Sequence, residues 1–472
     1  MTATASLADE LVHAVPNARI LTDRESLEHY SHDDAEWAPY ELPLAVVLAL
    51  SLEDVVATVR FAVDHDLRIV PRGAGTGLSG GANAIANSLI LSLELMTEVV
   101  EVNRDERYAV AQAGVINDAL RARVAEDGLW YPPDPASSAW STIGGNAATN
   151  AGGICCVKYG VTRDYVLGMT VVLADGSVAK LGRKTAKGVT GYDLTGLMVG
   201  SEGTLGIIVD VTVSLLPLAG REERAIIGYF PSLRAAGDAV AAVSRAGIVP
   251  AALELIDRMC VRAVDEWQGL GLPPDADTLL LARVDETGAT GEQLADEIAR
   301  LFTEAGGSSV ERGLGSEESA RLFLARRLAY PALERLGPVL TEDICVPRSA
   351  VPEMLSRIQA TAARFDVVIA NIAHAGDGNL HPLIVAPVDD DAAKERAKAA
   401  FDQIVADCGD LGGTVTGEHG VGLLKLEGAG AELGPVVLGM HAAVKAALDP
   451  AGSLNPGKAF PGSGSGRDRA SD

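Results

Sequence analysis

Three of the eight histidines fall in two polar, glycine-rich segments, HAGDGNLH at 374–381 and GEHGVG at 417–422. Imidazole nitrogens and a carboxylate oxygen are the donors that divalent transition ions take, and a site with three protein ligands keeps positions open for a substrate. His374, His381 and Glu418 make such a set, and His419, one residue on, is then placed to take a proton. The bare HxxxxxxH spacing is a weak metal signature, since hydrogen-bonded loop histidines are the commoner case. The Gly-Asp-Gly-Asn interior is what sets this segment apart.

Three other segments could hold a ligand through their main chain. PRGAGTGLSGGA (71–82) places glycines at 73, 75, 77, 80 and 81. Gly75, Gly77 and Gly80 formally satisfy GxGxxG, but a Rossmann fingerprint needs the third glycine to open a helix whose N-terminus faces the pyrophosphate. An apolar strand follows here, which disfavours that reading. A loop whose successive N–H groups curl around a pyrophosphate fits better. STIGGNAATNAGG (141–153) has almost no side chain larger than Asn, so a large flat ligand could press on its backbone; it reads as a second loop. GSEGTLG (200–206) repeats the small-residue signature ahead of IIVDVTV. A single such segment could be a tight turn; three together point to a ligand.

The elements that must position these residues follow from hydrophobic period. LAVVLAL reads as a strand, then a helix is opened by Ser51 with acids in its first turn, and LRIVPRG is a second strand. Residues 107–180 mix short strands with one helix, INDALRARVAEDG, and close on VLGMTVVLADG with its Asp-Gly turn. From about residue 220, strands IIGYF and LLLARV alternate with helices through SLRAAGDAVAAVSRAG and GEQLADEIARLFTEAGG. That pattern predicts an α+β second domain with helices on one face of a mainly antiparallel sheet. VVIANIAH leads into the Gly376-Asp377-Gly378 turn, so His374 and His381 are expected to face each other across a hairpin-like bend.

A chain of 472 residues that is 48% apolar exceeds what one core usually organises. The formal charge of −25 argues against nucleic acid, because its binders rely on clustered Lys and Arg. Five cysteines without a CxxC suggest neither a disulfide framework nor a metal–thiolate cluster, and a reducing cytoplasm fits. The opening segment carries Asp9 and Glu10 and lacks a leader's basic flank and apolar run, and no window of about 18 apolar residues is expected. A cytoplasmic protein, compatible with peripheral membrane docking, is the expectation.

Together the blocks resemble the flavoprotein family of D-lactate dehydrogenases, glycolate oxidase flavoprotein subunits and D-2-hydroxyglutarate dehydrogenases, within the vanillyl-alcohol-oxidase-like FAD fold. The matching pieces are PRGAGTGLSGGA, PPDPASSAWSTIGGNAATNAGG (132–153), YGVTRDYVLGMTVVLADG (159–176), GSEGTLGII (200–208), TEDICVPRS (341–349), HAGDGNLHP (374–382), GEHGVG and DPAGSLNPGK (449–458).

The resemblance implies non-covalent FAD, contacted by Pro71, Arg72, Gly73, Gly75, Thr76, Gly77 and Leu78 on the first loop. Further contacts would come from Pro133, Asp134, Gly144, Gly145, Ala148, Thr149 and Gly152, and from Gly203, Ile207 and Asn455. It carries the metal ligands onto His374, His381 and Glu418, with Zn²⁺ first and Mn²⁺ or Fe²⁺ as alternatives, and the base onto His419. The arginine that clamps the substrate carboxylate falls on Arg326, with Arg327 as its rival. The implied division is an N-terminal helical segment (1–36), a FAD-binding domain (37–218), a cap with the metal site (219–424), a return to the FAD domain (425–460) and a disordered tail (461–472).

The implied reaction is oxidation of a small D-2-hydroxy acid to the 2-oxo acid. A quinone, a cytochrome or an electron-transfer flavoprotein would then take the electrons, and a homodimer is compatible. Two departures bear on the acid: Leu383 stands where 2-hydroxyglutarate enzymes tend to have Asn, and Thr341 where they tend to have Lys. A second carboxylate would lack two polar partners, which favours lactate-like or glycolate-like acids. The same FAD fold also serves aldonolactone and amine oxidases, and a partner-dependent flavoprotein subunit is a further reading.

Overall fold

In the first of two compact units, strands Ala45–Leu48, Arg68–Arg72 and Ser88–Ser92 pair in parallel, with Arg19–Leu21 antiparallel at one edge. Parallel strands covered on both faces read as unbroken apolar runs. Here Val47, Ile69, Leu89 and Leu91 pack into one core and Val46, Leu48, Val70 and Ile90 into another. The intervening helix Leu52–Asp64 is capped by Ser51, which accepts a hydrogen bond from Asp54 N as expected. A second sheet, antiparallel throughout, runs Val99–Asn103, Tyr108–Gln112, Ile207–Ser214, Val166–Val172, Val178–Gly182. The computed structural model describes residues 2–185, 187–218, 222–271, 277–312, 316–386 and 390–463, so most of the expected C-terminal tail lies outside the described residues.

The units comprise Met1–Gly152, Val161–Leu218 and Glu418–Asp472 on one side, and Gly153–Gly160 and Ala219–Gly417 on the other. In the second, strands run in the order Ser309–Arg312, Arg224–Phe230, Thr278–Val284, Ala252–Asp257, Val368–His374, Asn379–Val385, Val339–Thr341, with Ile344–Cys345 also on Asn379–Val385. All these pairings are antiparallel.

Helices cover both faces of this sheet, not one. Ile227, Leu281, Ile256, Ile372 and Leu383 pack with helices Arg258–Gln268 and Ser316–Glu334. Gly228 and Phe230, on the reverse of the first strand, meet Phe302 of helix Gly288–Glu304. The reason is visible in the strands: LLLARV and IIGYF are apolar at consecutive positions, so neither face can be left to water.

Two other readings change. The first half of 141–153 is a helix, Ile143–Thr149, with Thr142 accepting from Gly145 N and Asn150 left-handed at its C-cap. Two glycines cost helix propensity, but a side-chain cap and the burial of Ile143 and Ala147 outweigh it. Contrary to expectation, one helix, Leu426–Leu448, is long and apolar enough to cross a membrane by length and composition, with 6% of that window buried. Its apolarity comes from Leu, Val and Ala, and Gly434, at φ 68°, interrupts it before Pro435.

Candidate active site

The three glycine-rich segments converge within the first unit. A Cβ at Gly73 would strike Thr142 Oγ1, and one at Gly203 would lie 3.0 Å from Pro71. Gly200 N donates to Ala147 O (3.0 Å) and Glu202 N to Ala148 O (2.8 Å), tying the third segment to the Ile143–Thr149 helix. Asn455, left-handed at φ 42°, donates from Nδ2 to Gly81 O (2.9 Å) and Glu202 O (2.7 Å), so one amide joins the first and third segments. The 417–422 segment arrives at the same place: Glu202 accepts from Val421 N and Gly422 N, both at 2.8 Å, and Ser79 Oγ donates to His419 O. Gly152 has no room for a Cβ because Glu418 lies against it.

Among the described residues, no acceptor meets the main-chain N–H groups from Gly73 to Gly81. A run of donors on a glycine turn, with Gly75 and Gly80 both at φ +80°, has the character of a backbone nest, a shape suited to a pyrophosphate. Beneath it the charges are buried. Burial lowers the Arg72 guanidinium against the pull of Asp33, and raises the carboxyls of Asp33 and Glu202. Lys458, donating to Gly81 O (3.0 Å) and Asn83 O (2.5 Å), is pushed down to about 7 by the same cause.

Of the other residues expected on the cofactor, Gly73, Gly75, Thr76, Gly77, Leu78, Gly145, Ala148 and Thr149 are half-buried on these segments. Pro133 accepts from Asn117 Nδ2 (3.1 Å), and Asp134 is buried beside it in sequence. Gly144 N donates to Ala113 O. Ile207 has its side chain in a core, which leaves only main chain to offer a ligand.

In the second unit, strands Val368–His374 and Asn379–Val385 form the expected hairpin, in register His374 with Asn379 and Ile372 with His381. His374 and His381 share a face, their rings 5.2 Å apart and perpendicular. Each has a buried carboxylate beside it that sequence reasoning missed. Glu254 places its oxygens 2.9 and 3.0 Å from His374 Nδ1, and Asp343 Oδ1 lies 3.5 Å from His381 Nδ1. Arg326 is buried at 3% exposure, its Nε 2.8 Å from Glu254 Oε2, an ion-pair distance without hydrogen-bond alignment. Its rival Arg327 is exposed.

Asp343 also accepts from Asn379 Nδ2 (2.8 Å), Thr416 Oγ1 (2.7 Å) and Gly417 N (3.0 Å), which pins the residue preceding Glu418. The signal for Glu254 was a carboxylate flanked by leucines in the middle of the apolar strand ALELID. Asp343 lay unremarked in TEDICVPRS.

Glycine nest, vanillyl-alcohol-oxidase-type layout and an antiparallel cap define a flavin-dependent oxidoreductase. The chain belongs to the FAD-linked oxidases: residues 221–459 match the model of the FAD linked oxidases, C-terminal domain, and residues 43–182 the FAD binding domain. It is 40% identical over 433 residues to the glycolate oxidase subunit GlcD of Bacillus subtilis (strain 168), spanning 91% of this chain and 92% of that one. It is 34% identical over 454 residues to the D-lactate dehydrogenase of Anaerostipes hadrus, spanning 93% and 94%. A solved structure, 4-ethylphenol oxidase from Gulosibacter chungangensis, superposes with a TM-score of 0.81 at 18% identity over 98% of each chain, and shares the fold.

Proposed function

We propose that this enzyme oxidises a small D-2-hydroxy acid to its 2-oxo acid, with a D-lactate-like monocarboxylate preferred. The observation that carries the reading is Glu254, one buried carboxylate that orients both Arg326 and His374. A guanidinium and two buried imidazoles, His374 hydrogen-bonded to Glu254 and His381 beside Asp343, suit an acid bearing a chelating hydroxyl. Relatives named glycolate oxidase subunit and D-lactate dehydrogenase support that substrate class. Thr341 and Leu383 are direct cross-strand partners, both buried, with Leu383 in an apolar core, so this pair gives a second carboxylate no charged partner.

When bound, FAD supplies the two-electron acceptor, and a divalent metal on His374, His381 and Glu418 supplies Lewis-acid polarisation of the hydroxyl. Imidazole and carboxylate donors fit Zn²⁺, Mn²⁺ or Fe²⁺. Glu254 on Nδ1 of His374 fixes the tautomer whose Nε2 carries the lone pair. Arg326 binds the substrate carboxylate through its Nη edge, for which no acceptor stands among the described residues. His419 takes the hydroxyl proton, the C2–H bond breaks with its electron pair leaving on hydrogen, and C2–O becomes a carbonyl.

Anaerobic flavin absorbance of the FAD-loaded chain tests this against D-lactate, glycolate, L-lactate and D-2-hydroxyglutarate. Bleaching fastest with D-lactate is expected. No bleaching with any 2-hydroxy acid overturns the reaction class, and fastest bleaching with D-2-hydroxyglutarate overturns the monocarboxylate preference. The name of the Bacillus relative, a glycolate oxidase subunit, favours a second reading: a glycolate-oxidising flavoprotein whose turnover needs partners. Fastest bleaching with glycolate would mark it.

A further inference from the structure

The face of the cap sheet turned away from Glu254 holds a cavity that the oxidation leaves unused. Side chains alternate along a strand. Glu254 and Ile256, Ile372 and His374, and Leu279 and Leu281 therefore share one face, while Asp257, Asn371 and Thr278 point to the other. These last three line a cavity of about 600 Å³, within the range of small-molecule sites. Leu233, Met259, Leu336, Ile358 and Ile369 give it apolar walls, and the exposed Arg262 stands on its rim.

Its polar floor is short of donors. Asp257 accepts from Cys260 N (3.0 Å) and from Asn371 N and Nδ2 (2.6 and 3.1 Å). Asn371 Oδ1 and Thr278 Oγ1, in residues 4% and 0% exposed, have no hydrogen-bond partner among the described residues. Each unmade bond of a buried polar atom is costly. The buried Asp257 carboxylate repels an anion, whereas an ammonium brings three N–H donors and the complementary charge.

We propose that this cavity binds a small primary amine with an apolar body, its ammonium on Asp257, Asn371 and Thr278 and its body against Leu233, Ile358 and Ile369. A free amine and an α-amino acid share that chemistry; Arg262 is the group that would add affinity for the latter through its carboxylate.

Calorimetric titration of the full FAD-loaded chain with isopentylamine, L-leucine and isovalerate tests it. Binding of at least one amine and none of isovalerate is expected; isopentylamine alone marks a free amine as the ligand, and tighter L-leucine marks an amino acid. Thr278→Val removes a hydroxyl with no described partner, so the melting temperature should hold while amine affinity falls about threefold to tenfold. Ala362→Phe, which fills the cavity from its wall, should abolish binding and serves if the first variant fails to fold. Failure of both amines to bind, equal binding of isovalerate, or wild-type affinity in either variant overturns the proposal.

Discussion

Glu254 is fully buried between an arginine and a histidine, so its loss acts twice. Breaking a buried ion pair from one side leaves an uncompensated charge and costs about 3–5 kcal/mol. Removing the carboxylate behind a ligating histidine costs roughly 10–100-fold in metal affinity or activity. Glu254→Gln keeps the shape and an acceptor, so the stability loss should fall toward the low end while kcat/KM drops by that 10–100-fold. A fold-stable variant with wild-type kcat/KM would remove Glu254 from the site.

Lys458 gives a pH dependence at the same scale. Burial lowers its ammonium to about 7 from an ordinary 10.5. Between those values the unfolded chain holds a proton that the folded chain has shed, so this lysine makes stability rise with pH there. Below about 7 both states are protonated and the full burial cost remains. The raised carboxyls of Asp33 and Glu202 act oppositely, but from lower pH, where the unfolded groups ionise first. Subtracting the urea-unfolding free energies of Lys458→Met from wild type at pH 7 and 9 isolates the lysine. The difference should move in favour of wild type as pH rises; a flat difference would show that Lys458 titrates normally.

At the scale of elements, the Ile143–Thr149 helix shows how glycines can be set by packing. A Cβ at Gly144 would lie 2.5 Å from Ala113 Cβ and 3.0 Å from its carbonyl, while Gly144 N donates to that carbonyl. Gly144→Ala should therefore lower stability by about 1–3 kcal/mol, the cost of overpacking, despite alanine's better helix propensity. Thermal unfolding checks it, and a stabilised variant would mean that the helix can shift away.

Period and turn chemistry made many elements legible: Ser51 opens its helix, and Gly376-Asp377-Gly378 turns the histidine hairpin. Glycine content misled at 141–153, because the propensity cost of two glycines was visible and the Thr142 cap with its buried Ile143 was not. The candidate site was legible where residues cluster in sequence, as in HAGDGNLH, whose two histidines the hairpin brings to one face. It was hidden where chemistry comes from distant strands, since Glu254 lies 120 residues before His374 and only the sheet register joins them.

At the scale of the whole molecule, 64 acidic and 39 basic residues leave a charge of −25, which destabilises any compact state through self-repulsion. Salt screens both repulsion and attraction, so the sign of its effect must be argued. Exposed pairs such as Arg123–Asp127 and Arg234–Asp238 are already screened by water and contribute little, often nothing, so salt removes little by weakening them. The contact between Arg326 and Glu254 is buried and screened far less. Unpaired repulsion is long-ranged: the screening length falls from about 30 Å at 0.01 M to about 8 Å at 0.15 M, below the span of either unit's sheets. Repulsion therefore loses more than attraction. At saturating FAD, which holds the linkage to cofactor constant, raising NaCl between those limits should raise the melting temperature by about 2 °C or more. A lower melting temperature at the higher salt would mean that surface ion pairs, rather than the net charge, govern the stability of this chain.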